Sequence, residues 1–144
     1  MRIFTTLIIS ICMFSGVAAQ DIHETDSRLA VRFSESQIEQ WKQNNPNRID
    51  LFEFELEHGY GIRTMPPEKL EDVPDLYYID YETKSKGEKV QSVDEQDFNL
   101  YLYNYERDMD HNNHYRIAGT NKVLVIYANK KFVEMFNESR SDEK

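Results

Sequence analysis

The chain has 144 residues, a net charge of −9 at pH 7, 30% charged residues and a single cysteine. An acidic surface repels phosphate backbones and no long basic run offsets it, which excludes nucleic acid from the expected partners. The lone cysteine, Cys12, excludes an intramolecular disulfide and lies in an apolar N-terminal run. We therefore expect one domain that is stabilised by a hydrophobic core without covalent cross-links.

The first 19 residues have the pattern of a cleaved signal peptide. Arg2 gives a basic start, an apolar run extends from Ile3 to Val17, and Val17-Ala18-Ala19 places small residues where signal peptidase cleaves. A retained membrane anchor is the alternative, but the run is short for a span and contains polar residues. We expect cleavage near Ala19 and export to the periplasm or the medium, with no transmembrane segment left in the mature chain.

The next segment contains the start signals of a helix. Residues 29–33 alternate loosely, as a short strand or extended lead-in would. Ser34 and Gln37 then form a capping box, so the helix is predicted to begin after Ser34. It is predicted to end near Asn44, because the next residue precedes Pro46 and is disfavoured in the α region.

A second element follows, and two interpretations compete for it. Pro46 suits the first position of a helix and Gly59 suits its stop, with apolar residues at helical spacing between them. Residues 51–57 also alternate with period two, as a strand with three glutamates on one face would. We favour the helix, because its start and stop signals agree and the strand has no turn signal of its own.

The rest of the chain predicts an antiparallel sheet of about four strands. The expected strands cover residues 76–81, 98–105, 115–118 and 122–127. The last two are joined by a turn at Gly119, and residues 123–126 are apolar on both faces, as in a central strand. Around these strands we expect an extended segment at residues 60–65, a helical turn at 67–73 and a polar loop at 84–89.

The chain ends with a predicted helix that packs on the sheet. Asn129 caps this helix, and Phe132, Val133 and Phe136 form its buried stripe. The fold class is therefore α+β, with an N-terminal helical pair, the sheet and a C-terminal helix. The globular domain is expected over residues 20–137, and residues 138–144 are expected to form a disordered tail.

One polar loop contains four potential metal ligands within seven residues. They are Asp108, Asp110, His111 and His114. The loop begins like a calcium-binding loop, but Asn113 stands where glycine is needed and Gly119 where a bidentate glutamate is needed. The two histidines would need a further ligand to hold a transition metal. We favour a solvated loop, because Asp and Asn are common in turns, and we predict no cofactor.

Two further sets of residues suit a binding surface. The tyrosines on or beside the strands that would form an aromatic face are Tyr78, Tyr101, Tyr103 and Tyr105. Glu53 and Glu57 would belong to an acidic stripe on the second helix, or to a carboxylate ladder if that segment is a strand. The simpler interpretation is that the tyrosines are ordinary strand residues and the glutamates solvate an exposed face.

The sequence contains no nucleophile elbow and no complete phosphate-binding loop, and none of its four histidines has an associated nucleophile and acid. The expected function is therefore a small exported, acidic binding or structural module without enzymatic activity. Its expected partner is a protein or a component of the cell envelope. The alternative is a small metal-dependent enzyme or metal-binding protein that uses the loop from Asp108 to His114.

Overall fold

The computed structural model describes residues 24–141, so the predicted signal peptide and its cleavage site lie outside the described residues. Within that range the helices are α1 (Glu35–Asn44), α2 (Pro46–His58) and α3 (Asn129–Ser141). The strands are β1 (Tyr60–Thr64), β2 (Tyr77–Asp80), β3 (Ser85–Lys89), β4 (Tyr103–Asn104), β5 (Asn113–Arg116) and β6 (Lys122–Ile126). None of the helices in residues 24–141 is long and apolar enough to cross a membrane.

The predicted α+β class is confirmed, with a helical pair at the start and a helix at the end. The strands, which were expected in one sheet of about four, form two antiparallel sheets of three. The first sheet has the order β1-β6-β5 and the second has the order β3-β2-β4. The helical interpretation of residues 51–57 is also confirmed, because all of them lie within α2.

The start of α1 follows from its capping box. The Ser34 side chain accepts a hydrogen bond from the Gln37 backbone, and the Gln37 side chain accepts one from the Ser34 N–H. Such a cap contributes about 1 kcal/mol to the stability of a helix. Three aromatic rings hold α1 and α2 together, with centroid distances of 4.9 Å for Phe33–Trp41, 4.6 Å for Phe33–Phe52 and 5.4 Å for Trp41–Phe52.

The first sheet has the predicted central strand. All four apolar residues of β6, from Val123 to Ile126, are buried. Leu124 and Ile126 belong to the main core, whereas Val123 and Val125 pack in a smaller cluster with Leu70. Gly119, in the turn between β5 and β6, has a φ of +71°, which glycine adopts without strain.

The segment that connects the two sheets is held by Asp75. Its carboxylate binds Lys89 at the end of β3 (2.6 Å) and Arg116 at the end of β5 (2.7 Å). Hydrogen bonds from these two cations hold the pKa of the Asp75 carboxyl below its usual range. Backbone bonds from Leu76 N to Arg116 O (2.8 Å) and from Val90 N to Leu76 O (2.9 Å) add to the connection.

The prediction of a strand over residues 98–105 is wrong for most of its length. Residues Leu100–Leu102 form a 3-10 turn, and only Tyr103 and Asn104 pair with β2. The Asn99 side chain accepts a hydrogen bond from Tyr101 N (3.0 Å), and its carbonyl accepts one from Leu102 N (3.1 Å). These local bonds replace the strand ladder, although the alternating pattern favours a strand.

Two other local predictions are wrong. Residues 29–33 were expected to be extended, but residues Ser27–Val31 form a 3-10 turn that begins where the Asp26 side chain accepts from Arg28 N. Residues Ser85–Lys89, expected to be a loop, form the fully exposed edge strand β3. The helical turn expected within residues 67–73 is present at Pro67–Lys69, and the extended segment expected at 60–65 contains β1.

The C-terminal helix α3 packs against α2. The ring of Phe54 lies 5.8 Å from that of Phe132 and 5.3 Å from that of Phe136, measured between centroids. Val133, which was predicted to be buried with them, is 41% exposed. The helix also continues through residues 138–141, so the predicted disordered tail is wrong there, and residues 142–144 lie outside the described residues.

Candidate functional site

The loop with the four potential metal ligands uses its polar groups to form a turn. The Asp108 side chain accepts hydrogen bonds from the backbone N–H groups of Asp110 and His111, both at 2.8 Å, and these bonds lower its pKa. Asp110 forms an ion pair with Lys130, and His114 lies apart in β5. Within residues 24–141, no three His, Cys, Asp or Glu side chains form a group that could hold a metal ion.

The tyrosines do not form the exposed aromatic face that we expected. Tyr101 and Tyr103 are buried, and Tyr105 is half-buried, whereas Tyr78 is 37% exposed and stacks on Tyr103 with a centroid distance of 5.4 Å. The 3-10 turn is the reason, because it removes the strict alternation that would have kept one set of rings in solvent. The prediction of a tyrosine platform on a sheet face is therefore wrong.

Tyr101 and Tyr105 instead meet a carboxylate from α2. The Tyr101 hydroxyl donates to Glu55 Oε2 (2.8 Å), and the Tyr105 hydroxyl donates to Glu55 Oε1 (3.2 Å). Arg107 Nη2 donates to the same Oε1 at 2.9 Å, while Arg107 Nη1 donates to the carbonyl of Tyr127 at 2.6 Å. We call Glu55, Tyr101, Tyr105 and Arg107 the buried carboxylate cluster.

Burial keeps the phenols of this cluster protonated above the pH at which an exposed tyrosine ionises. It is the main cause that raises the pKa of Tyr101 and of Tyr105, and the negative charge of Glu55 raises both further. Burial also raises the pKa of the neighbouring Tyr103 to about 12. Both oxygens of Glu55 accept hydrogen bonds and Arg107 balances its charge, so the cluster serves to tie α2 to the chain around residues 101–107.

Gly59 makes room for this cluster. A Cβ atom at this position would lie 2.7 Å from the Glu55 carbonyl oxygen and 2.9 Å from Arg107 Nη2. Both distances are shorter than a carbon atom tolerates, so the close approach requires glycine. The sequence identified Gly59 only as a helix stop, which it also is, since its N–H donates to the Glu55 carbonyl at 2.9 Å.

A cleft of about 410 Å³ lies beside the buried carboxylate cluster. We call it the tyrosine cleft. Its lining includes Arg32, Phe52, Glu55, Ile79, Tyr81, Tyr101, Tyr103, Tyr105, Arg107 and Phe132. The Arg32 guanidinium lies 5.0 Å from the ring centre of Tyr101 and 5.4 Å from that of Phe33. Arg32 forms no salt bridge with any carboxylate in the described part of the chain.

A groove of about 640 Å³ lies between α2 and α3. We call it the acidic groove. Its acidic residues are Glu24, Asp26, Asp50, Glu53 and Glu57, and its aromatic residues are Phe54 and Phe136. The predicted pair Glu53 and Glu57 thus lies on one wall. Arg28 binds both Asp26 (2.6 Å) and Glu57, and Asp26 N donates to Glu53 Oε1 at 2.8 Å.

Sequence reasoning missed two residues that organise the tyrosine cleft, Glu55 and Arg107. The signal for Glu55 was its place beside Phe52 and Leu56 on the apolar side of α2, apart from the acidic stripe. Arg107 had no comparable signal, because the segment around it is uniformly polar. Comparisons of the chain with protein-family models, with curated proteins and with solved structures gave no match.

Proposed function

We propose that the protein is an exported binding module without enzymatic activity, and that its acidic groove binds a basic segment of a protein partner. The observation that carries the proposal is the combination of aromatic and acidic groups in one groove. Phe54 and Phe136 offer apolar surface between α2 and α3, and Asp50, Glu53 and Glu57 lie on the same wall.

This combination suits lysine and arginine side chains. Their apolar stems can cover aromatic rings while the charged ends reach carboxylates in solvent. Five carboxylates line the groove, whereas Arg28 shares its positive charge between Asp26 and Glu57, and Arg140, which donates to Asn47 at 3.0 Å, adds one more positive charge, so acidic groups remain in excess. A net charge of −9 also attracts a basic partner before contact and speeds its association.

We include export in the proposal because the N-terminus has a basic residue, an apolar run and a small-residue cleavage site, the pattern of a signal peptide. The partner would then be a protein or an envelope component that the chain meets outside the cytoplasm. Periplasmic and medium fractions, compared by immunoblot with the cytoplasmic fraction, test this part. A full-length chain that stays in the cytoplasm would contradict it.

Binding of the acetylated hexapeptide Lys-Leu-Lys-Lys-Leu-Lys is measured by isothermal titration calorimetry at about 0.15 M salt, where the Debye length is about 8 Å. We expect the peptide to bind and its acidic counterpart, with glutamate for lysine, to show no binding. The double variant Asp50→Asn/Glu57→Gln should weaken binding by about tenfold, which corresponds to about 1.4 kcal/mol. Binding should also weaken at high salt, because surface charges are screened.

The matched control is Glu82→Gln/Glu88→Gln, which removes the same charge from exposed positions outside the groove. It should change the affinity by less than about twofold, because charges beyond a Debye length are largely screened. Equal losses in the two double variants would show that only the net charge matters and would overturn the groove as the site. Absence of any binding of the basic peptide would overturn it as well.

A further inference from the structure

We infer that the tyrosine cleft is a second binding site, which takes a small planar aromatic carboxylic acid with its carboxylate on Arg32. This inference does not depend on the proposed function. Glu55 points to the cleft, whereas Glu53 and Glu57 of the same helix line the acidic groove.

The size and walls of the cleft suit a ring. Its volume of about 410 Å³ lies in the range of small-molecule sites in proteins. Tyr81, which is exposed, and Phe52 and Tyr105, which are half-buried, provide aromatic surface, and Ile79 provides aliphatic surface. Aromatic rings pack favourably in offset or edge-to-face arrangements, so a planar ring would gain more here than a flexible chain of equal size.

The charge of the cleft favours an anion. Within it Glu55 and Arg107 form an ion pair of 2.9 Å and balance each other, so Arg32 supplies the remaining charge. A guanidinium can bind a carboxylate through two parallel hydrogen bonds. An ammonium ligand has no equivalent partner, because both Glu55 oxygens already accept hydrogen bonds from Tyr101, Tyr105 and Arg107.

The charge of Arg32 reaches into the cleft. Burial raises the pKa of Tyr81, Tyr101 and Tyr105, and the positive charge of Arg32 offsets part of that rise at each of the three residues. Arg32 is also held in place by its contact with the ring face of Tyr101 at 5.0 Å. A carboxylate at the rim of the cleft would therefore meet the guanidinium of Arg32, which is held in place. The protonated tyrosine hydroxyls nearby carry no negative charge that would repel it.

The test compares indole-3-acetate with its neutral amide, indole-3-acetamide, by titration into the ¹⁵N-labelled chain with backbone amide spectra as the readout. We expect the acid to shift the amides of residues 79–81 and 101–107 and to bind about tenfold more tightly than the amide, a difference of about 1.4 kcal/mol. The variant Arg32→Gln should remove this preference for the acid and leave the weaker affinity for the amide unchanged.

Arg48→Gln is the matched control, because Arg48 does not line the cleft and lies closer to the ring of Trp41 (4.5 Å) than to that of Phe52 (5.8 Å). It should keep the preference for the acid. Equal affinity of the acid and the amide in the unmodified chain, shifts confined to other residues, or an equal loss in Arg48→Gln would each overturn the inference. Thermal unfolding of both variants verifies that they fold, and both should do so, because the two arginines are exposed.

Discussion

Glu55 and Glu57 lie two residues apart on α2 and each binds an arginine, yet they differ in burial and in their other partners. The Glu55 side chain is 11% exposed and accepts hydrogen bonds from Tyr101, Tyr105 and Arg107. The Glu57 side chain is 58% exposed and binds Arg28. Two residues turn an α-helix by more than half a revolution, so the two carboxylates point to opposite sides. The comparison teaches that a glutamate on this helix is a buried hydrogen-bond acceptor on one side and an exposed ion-pair partner on the other.

Of the substitutions on the two sides of α2, Glu55→Ala should cause the largest loss of stability. It removes the carboxylate that balances the charge of Arg107 and accepts from two tyrosine hydroxyls in a buried place, so we expect a loss of about 3–5 kcal/mol in the free energy of unfolding. Urea unfolding followed by circular dichroism measures it. Glu55→Gln, which keeps an acceptor oxygen but removes the charge, should cost less. A loss below about 1 kcal/mol in Glu55→Ala would contradict the structural role.

Gly59→Ala tests how tightly the chain packs around Glu55, on the buried side of α2. The added Cβ would have to displace the Glu55 carbonyl or the Arg107 guanidinium, so we expect a loss of about 1–3 kcal/mol, as in overpacked sites. The same unfolding measurement applies. A variant as stable as the parent would show that the cluster can shift without cost. In that case Glu55 would differ from Glu57 in its burial but not in the tightness of its packing.

The phenols beside Glu55 should resist ionisation in alkali. Exposed tyrosines titrate near pH 10, whereas burial raises the pKa of Tyr101, Tyr105 and Tyr103, the last to about 12. A raised pKa stabilises the folded chain fully below about pH 10, and this contribution is lost as the pH rises further. Absorbance of the phenolate between about pH 9 and 12 follows the ionisation of the tyrosines. Tyr101→Phe should make stability fall less steeply with pH, and complete ionisation of all tyrosines near pH 10 in the folded chain would contradict the burial.

The smallest loss of stability is expected for a substitution on the exposed side of α2. Glu57→Gln removes an ion pair with Arg28, but Arg28 keeps Asp26 at 2.6 Å, so the loss should not exceed about 1 kcal/mol. It should shrink further in 1 M salt, where the screening length falls to about 3 Å. A loss as large as that of Glu55→Ala would remove the contrast between the two sides of α2.

Local signals predicted the framework of the fold well. The capping box at Ser34 and the stop at Gly59 bound α1 and α2 because caps act within a few residues of the chain. The run from Val123 to Ile126 predicted a central strand because apolar residues on both faces require cover on both sides. These features depend on neighbouring residues alone.

The parts that escaped prediction depend on distant residues. Tyr101 and Arg107 meet Glu55 across 46 and 52 positions in the sequence, and no spacing rule links them. Asn99 turned an alternating segment into a 3-10 turn, and β3, which has no apolar side chain, pairs along the edge of β2. The two candidate binding sites could be predicted only in part: Glu53 and Glu57 line the acidic groove and Tyr105 lines the tyrosine cleft, but the residues that meet them come from several other segments.

The edge strand β3 has a consequence for the behaviour of the chain in concentrated solution. An unpaired strand edge is a template on which other chains can add strands and aggregate. Here the edge presents Lys86 and Lys89, and the register of β3 against β2 shifts between the pairs at Tyr77 and Ile79. Lysines and such an irregularity both hinder the addition of a further strand, so this edge protects the folded protein against self-association into fibrils.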